Sequence, residues 1–222
     1  MAKIVIAGLG VVGSAMQTYF TAQGIDTAVY DPGKNYDDDT VLRTAETVFI
    51  CVPTPYHEDG GFDDSAIRDV LSRIGKGATA VIKSTVLPGT TEALQEEYPS
   101  VKLLFSPEFL TEKTAFEDLS RPTRQIVGFT EQSASEADRI LKMLPRAPYE
   151  KILPSGTAEM VKYMNNVFYA LKVTYANSIY DLCQKFGIDY AGVAEGAVSH
   201  EPMMGSNHWN VLYGGYRGYG GK

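Results

Sequence analysis

Cysteine is nearly missing from these 222 residues: Cys51 and Cys183 stand far apart without C-x-x-C spacing, which excludes a disulfide framework and a thiolate zinc site. Histidine is as sparse. His57, His200 and His208 lack the spacing of metal ligands, so no metal is expected and none of the three is given a role. Positive charge is in deficit, with 20 basic against 27 acidic side chains and a net charge of −7. No basic block is interleaved with aromatics, so nucleic acid and anionic membrane are poor partners. No apolar run approaches the roughly 20 residues that cross a bilayer, and a first strand starting at Lys3 argues against a secretory signal. A cytoplasmic protein with a hydrophobic content sufficient for a real core is the expectation.

Glycine and proline are placed instead at the ends of apolar runs. Thr47 to Cys51, Ala78 to Ile82 and Val101 to Phe105 each read as a strand buried on both faces. They end in Val52-Pro53-Thr54-Pro55, in Ser84-Thr85-Val86-Leu87-Pro88-Gly89-Thr90-Thr91 and in Ser106-Pro107-Glu108-Phe109-Leu110. In an open parallel sheet such ends converge on the ligand crevice. Ahead of them, Lys3 to Ala7 reads as a first strand, Gly8-Leu9-Gly10-Val11-Val12-Gly13 as a tight turn and Ser14 to Ala22 as a helix. Gly8 permits the turn, Gly10 lets a pyrophosphate approach the backbone, and Gly13 allows close packing of helix on strand. A second strand, Thr27 to Tyr30, ends at Asp31, whose carboxylate suits an adenosine ribose and repels a 2′-phosphate, so the expected cofactor is NAD rather than NADP. Asp31-Pro32-Gly33 is also an ordinary turn composition, and both descriptions can hold. Lys34 either approaches the same ribose or is a solvated loop lysine.

Strand and helix signals alternate to about Pro154, which predicts an α/β fold with a doubly wound, Rossmann-type parallel sheet over residues 1–154. Helical pieces are expected from Asp38 to Thr44, from Asp63 or Asp64 to Ile74, from Thr90 to Tyr98 and from Ser133 to Leu144, with late strands at Arg124 to Phe129 and Glu150 to Leu153. From Ser155 to Phe186 apolar side chains recur at three- and four-residue steps, predicting one long helix with more apolar surface than a single stripe. A second copy of the chain is expected to cover part of it, giving a homodimer through residues 155–186. Tyr190 to Val198 is a shorter helix, so 155–204 form a helical segment. Residues 205–222, rich in glycine and tyrosine, are either a flexible tail or a loop that wraps a sugar or base.

Lys162 and Asn166, four residues apart, share one face of the long helix. An ammonium beside a neutral amide is what a developing oxyanion or substrate hydroxyl needs; a snorkelling surface lysine is the plainer alternative. Glu108 and Glu112 flank Phe109-Leu110. One could orient a substrate hydroxyl and the other hold a water near the nicotinamide, although Glu112 equally suits a helix start. Thr85 is a strand-end hydroxyl fit for a hydrogen-bond relay or for ending its strand. Thr54, held between two prolines, could touch the cofactor, and turn chemistry alone also accounts for it.

Taken together and in order, these motifs resemble the UDP-glucose/GDP-mannose dehydrogenase family from Lys3 to Lys222, with Ala158-Glu159-Met160-Val161-Lys162-Tyr163-Met164-Asn165-Asn166 and Gly218-Tyr219-Gly220-Gly221 completing the set. The resemblance implies an NAD-dependent double oxidation of a sugar-nucleotide primary alcohol, UDP-glucose first among candidates, to a uronate through a cysteine-bound thiohemiacetal and thioester. It implies that Lys162 and Asn166 stabilise oxyanions, that Thr85 and Glu112 surround the nicotinamide and catalytic water, and that Glu108, Phe109, Leu110 and Glu112 lie along the sugar. Leu212, Tyr213, Gly214, Gly215, Tyr216 and Gly220 resemble the family's sugar-binding loop, and the long helix its dimerisation helix.

The same resemblance places the nucleophilic cysteine directly after Gly220-Gly221-Lys222, followed by a second nucleotide-holding domain. The expectation is therefore a chain that binds NAD without completing the double oxidation alone. Glu201-Pro202-Met203-Met204-Gly205 lacks an arginine frequent in UDP-glucose enzymes, and Lys113 replaces a glycine. Two other functions fit part of the pattern: a β-hydroxyacid dehydrogenase, and a non-catalytic NAD-binding dimer module.

Overall fold

The computed structural model describes residues 4–59 and 61–199. Four-residue apolar strands β1 (Ile4–Ala7), β3 (Thr47–Ile50) and β6 (Thr79–Ile82) are buried at every position, as a strand covered on both faces must be. With β2 (Thr27–Tyr30), β7 (Lys102–Phe105), β8 (Arg124–Phe129) and β9 (Tyr149–Pro154) they make a seven-stranded sheet in the order β2-β1-β3-β6-β7-β8-β9. A separate two-stranded ribbon pairs β4 (Tyr56–His57) with β5 (Gly61–Phe62).

Alternate side chains of each strand go to opposite cores. Val5, Val48, Ile50, Ile82 and Phe105 meet Ile67, Val70 and Leu71 of α3 (Ser65–Arg73) and Leu94 of α4 (Thr90–Glu97). Ile6, Phe49, Val81 and Leu104 meet Met16 and Phe20 of α1 (Val11–Ala22), Leu119 of α5 (Ala115–Ser120) and Ile140 of α6 (Ala137–Met143). The Phe20 and Phe49 ring centroids are 5.6 Å apart. The crossover from β2 to β3 is as small as expected: α2 is only Thr40–Arg43.

Two readings of the sequence need correction. The sheet is not parallel throughout, because β8 runs antiparallel to β7 while every other neighbouring pair in it is parallel. The connection between those strands runs through a 3-10 turn and α5 and delivers β8 beside β7 with its direction reversed. The expected helix from Ser133 to Leu144 is also divided, into a 3-10 stretch Glu131–Glu136 and then α6. Thr130 and Ser133 cap it reciprocally, with Ser133 N donating to Thr130 Oγ1 at 3.2 Å and Thr130 N to Ser133 Oγ at 2.9 Å.

The long helix α7 spans Ser155–Phe186, and α8 spans Tyr190–Val198. Gly187, at φ +64°, ends α7 in the left-handed conformation that costs glycine little, and Asp189 caps α8 through the backbone N–H groups of Ala191 and Gly192. The chain divides into two compact units, Met1–Lys162 and Tyr163–Lys222, so the first takes in the opening turns of α7. In the second, Val173, Ala176 and Cys183 are buried, while Met164, Val167, Phe168, Leu171, Tyr175, Leu182 and Phe186 are exposed.

Candidate functional site

The parallel strands β1, β2, β3, β6 and β7 finish at one edge of the sheet, and the polar motifs of the first unit follow them there. Gly8 sits at φ +91°, and a Cβ on it would fall 2.7 Å from the carbonyl oxygen of Cys51. A Cβ on Gly13 would lie 1.9 Å from Gly8 O, so α1 can approach β1 only with glycine at that position. Nothing lies within 4 Å of a Cβ built on Gly10. Gly10 is the N-cap of α1 and supplies no side-chain cap, which leaves the first N–H groups of the helix, those of Val11, Val12 and Gly13, without a side-chain acceptor from that position.

Asp31 is tied to that turn: its Oδ2 accepts from Leu9 N at 2.7 Å. Lys34, read as a solvated loop lysine or a ribose neighbour, is exposed and donates through Nζ to Leu9 O at 2.5 Å, next to the bond between Leu9 N and Asp31. A pyrophosphate over the N-terminus of α1 and a ribose on Asp31 fit this cradle: it is open where phosphate must approach and carries a carboxylate where hydroxyls would sit.

Thr54 and Thr85 are joined, with Thr54 Oγ1 donating to Thr85 O at 2.8 Å. Ser84 Oγ donates to Val52 O at 2.7 Å and fastens the same two loops. The loops after β3 and β6 therefore form one wall.

Lys162 is 5% exposed and its Nζ donates to Glu108 Oε1 at 2.7 Å and to Glu108 O at 2.6 Å. Glu108 Oε2 accepts from Leu110 N at 2.9 Å. The snorkelling alternative for Lys162 is thereby excluded. The ammonium also stands 5.8 Å from the centroid of the Phe109 ring, and the Arg124 guanidinium lies 3.7 Å from that centroid. Asn166 falls one turn further along α7, half-buried, in the second unit. Glu112 is exposed in the 3-10 turn Glu112–Thr114. Leu212, Tyr213, Gly214, Gly215, Tyr216 and Gly220 lie outside the described residues.

Two residues that the sequence did not single out complete the edge. Glu159, fully buried, accepts from Gly89 N at 2.6 Å, Thr91 N at 2.9 Å and Thr91 Oγ1 at 2.6 Å, so α7 caps α4 and its first turns are anchored. Its spacing before Lys162 was visible, but its partners, about 70 residues earlier, were not. Lys83 is 3% exposed, donates through Nζ to Ser106 Oγ at 3.1 Å, and is driven by burial down to about 8. A lysine interrupting an apolar run just before Ser84-Thr85 was the available signal.

The cysteines behave as small apolar residues. Cys51 Sγ lies 3.9 Å from Met16 Sδ, and burial pushes its thiol up to about 12, which withholds the thiolate at neutral pH. Cys183 is buried in α7. Among the described residues no group of three or more His, Cys, Asp or Glu is placed to hold a metal, and no helix is long and apolar enough to cross a membrane.

The NAD binding domain pattern of the UDP-glucose/GDP-mannose dehydrogenase family matches residues 33–144, and the pattern of that family's central domain matches residues 156–222. A UDP-glucose 6-dehydrogenase of Rhizobium meliloti is 33% identical over 206 residues, covering 85% of this chain and 46% of that protein. One of Pseudomonas aeruginosa is 35% identical over 197 residues, covering 82% and 42%. The structure of a UDP-glucose dehydrogenase from Pyrobaculum islandicum superposes with a TM-score of 0.78 at 28% identity, over 94% of this chain and 59% of that one. The chain spans less than half the length of the two curated relatives.

Proposed function

Since the chain belongs to the UDP-glucose/GDP-mannose dehydrogenase family, we propose that it is the cofactor-binding and central part of an NAD-dependent nucleotide-sugar 6-dehydrogenase, with UDP-glucose as substrate and UDP-glucuronate as product. The observation that carries this reading is the buried Lys162–Glu108 pair at the sheet edge: an ammonium held at 2.7 Å from a carboxylate beside the end of β7, where its positive charge would favour a hydroxyl that becomes an alkoxide. NAD, when bound, supplies the hydride acceptor. The chain's own residues do the rest. The N-terminus of α1 holds the pyrophosphate, Asp31 orients the ribose, the Thr54–Thr85 wall faces the nicotinamide, and Phe109, Leu110 and Glu112 follow the sugar. Lys162 and Asn166 stabilise the oxyanion.

Neither Cys51 nor Cys183 is fit to trap an aldehyde, so these 222 residues bind NAD without completing a four-electron oxidation by themselves. The exposed apolar side chains of α7 favour a homodimer through residues 155–186. Two thiols left unpaired favour the cytoplasm.

Thermal unfolding of the whole chain tests the assignment. NAD at a hundred times its Kd is expected to stabilise the fold by about 2.7 kcal/mol, NADP at the same concentration by much less, and UDP-glucose to add a further shift that Lys162→Met removes. A response to NAD with none to any sugar nucleotide would leave only an NAD-binding module. Robust uronate production by the unaided chain would overturn the account of its cysteines.

A further inference from the structure

A cavity of about 170 Å³ opens in the first unit beyond β7, between the Pro107–Thr111 loop and the segment that joins α5 to β8. At roughly 30 Å³ per water it has room for about five. Its charged lining is Lys83, Glu108, Asp118, Arg121 and Arg124. The two carboxylates are committed elsewhere: Glu108 to Lys162 and Leu110 N, and Asp118 Oδ2 to Thr111 N at 2.9 Å and Thr114 Oγ1 at 2.8 Å. The three cations are not. Lys83, almost fully buried, has Ser106 Oγ as its hydrogen-bond partner, and the buried Nε of Arg124 has none. Among the described residues Lys83, Arg121 and Arg124 make no ion pair. An ammonium and a guanidinium nitrogen withdrawn from water without an anion are costly, and a protein of net charge −7 has carboxylates in surplus that could have been placed there.

We propose that this cavity is an oxyanion site, which takes one phosphoryl or carboxylate group of a small ligand among Lys83, Arg121 and Arg124. It lies apart from the glycine turn and borders the Glu108–Lys162 pair through Glu108, while Lys162 itself is not in its lining. The charged and titratable groups acting on Lys83 are Cys51 after β3, Glu108 after β7 and Lys162 on α7. Burial is the largest influence on it and lowers its proton affinity. An anion reverses that influence, so binding should weaken as pH rises and Lys83 loses its proton.

Calorimetric titration of the whole chain with sulfate, at constant chloride and with NAD saturating so that the α1 turn is covered, tests the site. Sulfate keeps its charge across the range used. One sulfate per chain is expected, bound more than tenfold more weakly at pH 9.5 than at pH 7. Lys83→Met should weaken binding at pH 7 at least tenfold and flatten the pH dependence, with NAD affinity kept within twofold as the check on folding. Arg121→Gln, at an exposed position, should weaken it severalfold. Displacement of sulfate by UDP assigns a phosphoryl group, and displacement by glucuronate a carboxylate. Displacement by neither reduces the site to an adventitious ion and overturns the proposal, as does sulfate binding that both substitutions leave unchanged.

Discussion

At the scale of single residues, Asp31 and Lys83 carry the sharpest consequences. Asp31 presents a carboxylate already fixed by Leu9 N at 2.7 Å, so a ribose bound there as proposed would be met without reorganisation. Asp31→Asn is expected to weaken NAD binding by about 1–2 kcal/mol, the worth of a charge-assisted hydrogen bond, and to narrow the preference over NADP. Fluorescence titration with both dinucleotides measures each effect. Lys83 is held at about 8, below the ordinary lysine range, because its ammonium is desolvated. The unfolded chain then binds more protons than the folded one between about pH 8 and 10.5, so this group's penalty is full below pH 8 and is relieved as pH rises through that window. In sulfate-free buffer Lys83→Met should therefore raise stability at pH 7, by up to about 3 kcal/mol. The gain should shrink toward pH 10.5, as urea unfolding at several pH values will register.

At the scale of elements, α7 has two different jobs. Its first turns are locked to α4 by Glu159, whose carboxylate satisfies three donors, two of them N–H groups at the start of that helix. Glu159→Ala strands two donors of the buried Thr91 and the more exposed N–H of Gly89. The expected cost is roughly 2 kcal/mol or more, at 1–3 kcal/mol for each buried group left unsatisfied, with Glu159→Gln costing less; thermal denaturation compares them. The later turns expose Met164 at 75% and Leu171 at 62%. If a second copy covers them, Leu171→Glu desolvates a charge in that interface and should yield monomers in light scattering coupled to size exclusion. A dimer of unchanged strength would remove α7 from the interface.

The strands, the glycine turn and the length of α7 were legible because each is written locally, in alternation, in breakers and in helical period. The reversal of β8 was not, since strand direction depends on where the connection returns to the sheet, which no local pattern records. The division of the Ser133–Leu144 segment depends on a reciprocal cap between Thr130 and Ser133 that competes with a regular first turn.

For the whole molecule, the acidic balance and the absence of basic blocks leave small anionic ligands dependent on locally placed donors rather than on a long-range field. The structure supplies such donors: backbone N–H groups at α1, the Lys162 ammonium on Glu108, and the cations beside Phe109. By itself the sequence determined the Rossmann-type class, the order of the motifs and the family, because periodicity and residue spacing act over a few neighbours and survive without knowledge of the fold. Only the tertiary structure decided that Lys34 donates to Leu9 O, that Glu159 caps a distant helix and that Lys83 stands buried among three loops. Those facts come from contacts between residues tens of positions apart, and from desolvation, which belongs to a surrounding and not to a residue type.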